Sequence, residues 1–193
     1  NRLGLGDSFE GGRSLTVGID YKKEGISDIN KYFDLKLATV LRDKEENSIP
    51  KVSTLNRKTS NLFGSISTNF KENLDVEYNF ALDNDLKTFE HNSILTTLSI
   101  NSFVTKFKFI EEGGEMGDIN TINNSTSYRV NDNNYITFNT RRNRKLNLTE
   151  YYDLVYQYKN DCLIAGVKYK KNYYQDRDIK PTENLFFTVT LFP

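Results

Sequence analysis

Apolar and polar residues alternate along most of this chain with a period of two. In 14–22, Leu15, Val17, Ile19 and Tyr21 share one face, and Thr16, Asp20 and Lys22 the other. In 33–42, Phe33, Leu35, Leu37 and Leu41 oppose Asp34, Lys36 and Arg42. The regularity is greatest over 74–83, where Leu74, Val76, Tyr78, Phe80 and Leu82 interleave with Asp75, Glu77, Asn79 and Asp83. Successive β-strand side chains point to opposite faces, so these stretches read as strands with one apolar face; no helical stripe would collect the same residues.

Extending the reading gives about eleven strands, with ends uncertain by a few residues. The further apolar faces begin with Leu62, Ile66 and Phe70, then Ile94, Leu98 and Ile100, then Phe103, Phe107 and Phe109. Tyr128 and Val130 follow, then Ile136 and Phe138, then Tyr152, Leu154, Tyr156 and Tyr158. Leu163, Ala165, Val167 and Tyr169 form the tenth face, and Phe187, Val189 and Leu191 the last. Tight turns rich in Asn and Asp are expected at 71–73, 101–102, 132–133 and 159–161. Longer polar connections lie at 43–60, 83–91, 110–123, 142–150 and 171–183, so short and long connections alternate after the second strand. The 23–31 connection is the exception.

Composition narrows the class. Aromatic residues are frequent (12 Tyr, 13 Phe), Pro is rare, and the formal net charge is zero. No block of like charge suggests a nucleic-acid tail. No apolar run approaches the roughly 20 residues a membrane helix needs. A mean hydropathy of −0.63 does not exclude a membrane barrel, whose strands need one apolar face only. The apolar faces named above carry no charge, although 27% of the chain is charged. A lipid-facing surface demands this, because Lys or Arg at the bilayer midplane costs roughly 2–4 kcal/mol. The expected fold is therefore all-β: an antiparallel up-and-down meander of about eleven strands, forming a partial, open transmembrane outer-membrane barrel that curves without closing. A soluble β-sandwich is the alternative architecture.

Candidate chemistry is sparse, and no enzyme activity or cofactor is expected. His91 and Ser93 share one face of one strand edge without a strained elbow between them, so a solvated rim histidine is favoured over Ser–His catalysis. Gly4 and Gly6 lack the βαβ context of a nucleotide fingerprint. The acidic stretch Glu111, Glu112, Glu115 and Asp118 lacks calcium-loop spacing and reads as an ordinary loop. Cys162, the single cysteine, is either an inert wall residue or one half of a disulfide to a partner elsewhere. Inward-facing cations include Lys106, Lys108, Arg129, Arg141 and Lys168. A polar lumen accounts for them, and they could also meet phosphate groups.

Several segments resemble the LptD family of lipopolysaccharide-assembly proteins. Asn1-Arg2-Leu3-Gly4 followed by Asp7-Ser8-Phe9-Glu10-Gly11-Gly12 is similar to the entry into that family's C-terminal barrel portion. Thr140-Arg141-Arg142-Asn143-Arg144, Leu148-Thr149-Glu150-Tyr151-Tyr152 and Tyr158-Lys159-Asn160-Asp161-Cys162-Leu163 resemble its final strands. Glu183-Asn184-Leu185-Phe186-Phe187-Thr188-Val189-Thr190-Leu191 resembles the last one. The resemblance implies that 1–193 is the C-terminal part of a barrel of about 26 strands, with earlier strands and a periplasmic N-terminal domain lying outside this sequence. It further implies transport of lipopolysaccharide to the outer leaflet of the cell outer membrane. The implied partners are the lipid bilayer, an LptE-like plug lipoprotein and an LptA-like periplasmic bridge component. Lipid would exit by a seam involving Phe186, Phe187, Thr188, Val189, Thr190 and Leu191. Cys162 would pair with a cysteine of the missing domain; some relatives carry two adjacent cysteines where Asp161 and Leu163 flank one here. A general outer-membrane porin or receptor barrel is the alternative function; it would carry an inward constriction loop, and no connection reads as one.

Overall fold

The computed structural model describes residues 11–26, 28, 30–71, 73–173 and 180–192, with the side chains of 70 and 71 excepted. The opening segment 1–10, including Gly4 and Gly6, lies outside the described residues, as do 174–179 of the last long connection. The described residues fold into eleven strands and one turn of 3-10 helix, Lys51–Ser53. The strands are β1 (Ser14–Glu24), β2 (Tyr32–Arg42), β3 (Leu62–Lys71), β4 (Leu74–Leu82), β5 (Phe89–Ile100) and β6 (Phe103–Glu112). β7 (Asn120–Arg129), β8 (Asn134–Asn143), β9 (Leu148–Lys159), β10 (Leu163–Asn172) and β11 (Thr182–Leu191) follow. They form one sheet in strict chain order, with β1 and β11 at its two ends. No second sheet stands against it among the described residues, which removes the sandwich alternative for them.

Chain contacts group these residues into two compact units. The first comprises Asn1–Glu72, Val76–Ile94 and Ile110–Ile119, and the second Asn73–Asp75, Leu95–Phe109 and Asn120–Pro193.

In the first unit the register bears out the alternation. Leu15↔Leu41, Ile19↔Leu37 and Tyr21↔Leu35 oppose one another on the apolar face, continued by Leu35↔Ile66. The other face carries Asp20↔Lys36 and Lys36↔Ser65. Leu15 and Ile19 remain 61% and 63% exposed, which in water would forfeit the gain from apolar burial. Gly64 opposes Leu37 and lies under the Phe80 ring, where a Cβ would stand 2.2 Å from a ring carbon. Phe80 also meets the Phe89 ring edge-on at 5.9 Å, so aromatic area covers the glycine's gap.

The long 43–61 connection is ordered by polar contacts rather than left loose. Arg42 is buried and donates from Nε to Leu55 O (2.7 Å) and from Nη1 to Gly11 O (3.1 Å). Asn61 is fully buried; its backbone N–H donates to Thr54 Oγ1 at 3.2 Å. Within the segment Glu46 Oε1 accepts from Ser48 Oγ and Ser48 N, and these bonds hold its carboxyl below the ordinary glutamate range.

In the second unit Ile136↔Tyr156, Tyr156↔Val167 and Val167↔Phe187 make a continuous apolar row across four strands. Three features depart from the sequence reading. The 142–150 connection shrinks to 144–147, because Arg142↔Thr149 and Asn143↔Leu148 continue the ladder past a bulge at Arg141/Arg142. The expected 110–123 loop shrinks to 113–119, and β7 places Asn124 and Thr126 on the apolar face, opposite Thr140 and Phe138. These polar groups satisfy each other and Thr105: Thr105 Oγ1 lies 2.8 Å from Thr126 Oγ1 and 3.1 Å from Asn124 Nδ2. Finally, strand ends run past the apolar rows, bringing Lys171 opposite Tyr152 and Glu183, with which it forms an ion pair.

Candidate functional site

The polar face of the second unit holds the clearest convergence of binding groups. Direct pairing sets one row of side chains there, Ser125↔Asn139, Asn139↔Asp153 and Asp153↔Lys170. The adjoining row contains Asn123↔Arg141 and Arg141↔Tyr151. With Lys106 and Lys108, the residues of these two rows other than Arg141 line a cavity of about 470 Å³. Ser125 Oγ donates to Asn139 Oδ1 at 2.6 Å, fixing the amide's orientation. Lys170 Nζ stands 5.5 Å from the centroid of the Tyr151 ring.

The five cations expected in the lumen play different parts. Lys168 Nζ is 2.8 Å from Asp153 Oδ2, and Arg141 Nε is 2.8 Å from Glu150 Oε2. Arg129 stands at the far end of β7, 4.0 Å from Asp132 in the adjacent turn, and does not line the cavity. Lys106 and Lys108 line it without a carboxylate partner among the described residues. Lys170, over the Tyr151 ring, has no carboxylate partner among them either, so the site can offer three unneutralised ammonium groups beside amides, a hydroxyl and an aromatic ring. That donor set suits an anionic group carried on a polyhydroxylated body. Tyr151, Asn123 and Asn139 were absent from the sequence-derived candidates; their period-2 relation to Asp153 and Arg141 is the signal that points to them.

Cys162 lies in the turn between β9 and β10, not on a strand, so alternation along β10 does not orient its sulfur. Its N–H donates to Asn160 Oδ1 (3.0 Å) and its carbonyl accepts from Phe192 N (2.8 Å). The thiol is free and exposed. On β11, Phe187, Val189 and Leu191 oppose Val167, Ala165 and Leu163, while Phe186, Thr188 and Thr190 oppose Lys168, Gly166 and Ile164 on the other face. Phe187 is 72% exposed.

His91 lies near the start of β5, at the strand end as expected, but is less exposed than a solvated rim residue would be. It is half-buried, with Nδ1 3.4 Å from Glu112 Oε1, and it lines a separate cavity in the first unit. Ser93 is not among the residues lining that cavity. The acidic residues around 111–118 do not assemble with others into a metal-binding group among the described residues.

No protein-family model matches this sequence, and no curated protein matches it.

Proposed function

We propose that this chain is part of an outer-membrane barrel that conducts lipopolysaccharide to the outer leaflet, in the manner of the LptD family it resembles. The supporting observation is the pairing of an exposed apolar face with a polar face that carries Lys106 and Lys108 unneutralised in one cavity. Such a wall holds apolar side chains toward acyl tails, while its cations attract phosphorylated sugar without covalent chemistry. Strands of nine to twelve residues match the length needed to cross a bilayer at a tilt. The plug lipoprotein, the periplasmic bridge component and the seam along β11 belong to this reading as expectations.

Photo-crosslinking residues placed at 106 and 108 of the full-length protein test it in living cells. Crosslinks to lipopolysaccharide from both positions, and none from 35 or 167, are expected. Absence of lipopolysaccharide adducts at 106 and 108 overturns the reading.

One observation favours the second function, a porin or receptor barrel. The 43–61 connection buries Ile49, Thr54, Ser60 and Asn61 and so resembles the ordered loop that a constricted pore requires. Ion conductance that rises on deleting 44–58 would identify that function.

A further inference from the structure

A second cavity, of about 500 Å³, lies in the first unit. Its walls include Ala38 and the directly opposed Phe63, Ala81 (1% exposed), Met116, His91 and Glu112. Small-molecule sites have this volume and this makeup, apolar walls with a few placed polar groups. We propose that it binds a small organic ammonium ion carrying an apolar body.

The walls are held in place before any ligand arrives. The buried Asn61 amide donates to Glu90 Oε2 at 2.6 Å and contacts Met116 Sδ at 3.8 Å. Arg57 ties the same two segments together through Glu115 Oε2 at 2.9 Å. At the base of the 113–118 connection, Glu112 N donates to Ile119 O at 2.7 Å and Gly113 N to Glu90 O at 2.9 Å. A preformed pocket spares the ligand much of the ordering cost of binding.

The lining charges select the sign of the ligand. Lys36 stands at the margin and pairs along its own strand with Asp34 Oδ2 at 3.5 Å, with its side chain 56% exposed. Glu112 is more enclosed, 23% exposed, and its one ion-pair contact among the described residues is His91 Nδ1 at 3.4 Å. That nitrogen makes no hydrogen bond, so the carboxylate has no charge-assisted bond from it. A half-buried carboxylate beside an aromatic ring is the chemistry that recognises ammonium groups. A carboxylate-headed amphiphile would be repelled by Glu112 and is excluded as occupant. The inference does not rest on the transport function.

Three probes share one apolar body: 4-phenylbutylammonium, 4-phenylbutanol and 4-phenylbutyrate. Calorimetry and saturation-transfer NMR on the full chain in zwitterionic nanodiscs are expected to rank them ammonium, alcohol, carboxylate. The ammonium should lead the alcohol by about tenfold or more. Glu112→Gln is expected to bring the ammonium down to the alcohol's affinity while leaving the alcohol unchanged, which also reports an intact cavity. Ala38→Leu, which narrows the space without touching charge, is expected to weaken both, and it serves where Glu112→Gln does not fold. Equal binding of ammonium and alcohol to the unaltered protein, no binding of any probe, or binding indifferent to Ala38→Leu overturns the proposal.

Discussion

Lys168 Nζ sits 2.8 Å from Asp153 Oδ2, and the two partners are unequally exposed, with side-chain accessibilities of 40% and 11%. Removing either partner therefore has unequal consequences. After Asp153→Asn the ammonium can turn to water, and the loss is about 1 kcal/mol. After Lys168→Met a largely buried carboxylate remains, whose Oδ1 already lacks a hydrogen-bond partner. That variant should lose more, about 1–3 kcal/mol. Urea unfolding of the two variants measures the order, and an equal or reversed order refutes the asymmetry.

The two faces of the sheet should respond oppositely to added charge. Leu35 stands between Tyr21 and Ile66, and Val167 between Tyr156 and Phe187, within apolar rows. Leu35→Arg and Val167→Arg should each reduce assembled protein, by the roughly 2–4 kcal/mol that keeps cations out of lipid. Asn79→Lys and Thr137→Lys, on the polar face, should assemble at normal levels. Comparison of heat-modifiable bands in outer-membrane fractions decides, and equal levels for the two pairs would falsify the face assignment.

Strict alternation made the strands readable wherever one face is apolar and the other charged, as in β1 and β4. It failed at β7, where Asn123, Asn124, Ser125 and Thr126 are polar on both faces and only pairing with β8 defines the strand. It failed again at 142–150, because a bulge changes the parity at Arg141 and no residue type announces it. The cations on the polar face of the second unit were readable as inward-facing, but their division into paired and unpaired groups was not. That division depends on Asp153 and Glu150 reaching Lys168 and Arg141 across strands. The contact of His91 with Glu112 arises likewise from cross-strand placement and the folded 113–118 connection, which composition does not reveal.

Leu86, in the connection between β4 and β5, has φ of +58° and is 61% exposed. The left-handed region costs a residue with a Cβ roughly 1–2 kcal/mol, and this side chain recovers little by burial. Its N–H donates to Asp83 O at 2.9 Å, a bond that glycine keeps. Leu86→Gly should therefore stabilise the protein by about 0.5–1 kcal/mol after the added chain entropy of glycine. A lowered urea midpoint would show that Leu86 contributes something its exposure hides.

Cys162 occupies a tight turn whose backbone is pinned by Asn160 Oδ1 and by Phe192 N. An exposed thiol on so short a turn has room for a partner sulfur to approach without movement of the sheet. No second cysteine exists in the sequence, so an intramolecular bond within 1–193 is excluded. If a domain outside this sequence supplies the partner, the bond closes a long chain loop and constrains the unfolded ensemble by roughly 2–5 kcal/mol. Full-length protein run without reductant should then migrate differently from the reduced form, and Cys162→Ser should abolish the difference. The same variant should unfold at lower urea than the oxidised wild type and at the same urea as the reduced one. A wild type whose mobility and urea midpoint ignore reductant would leave Cys162 as an inert turn residue.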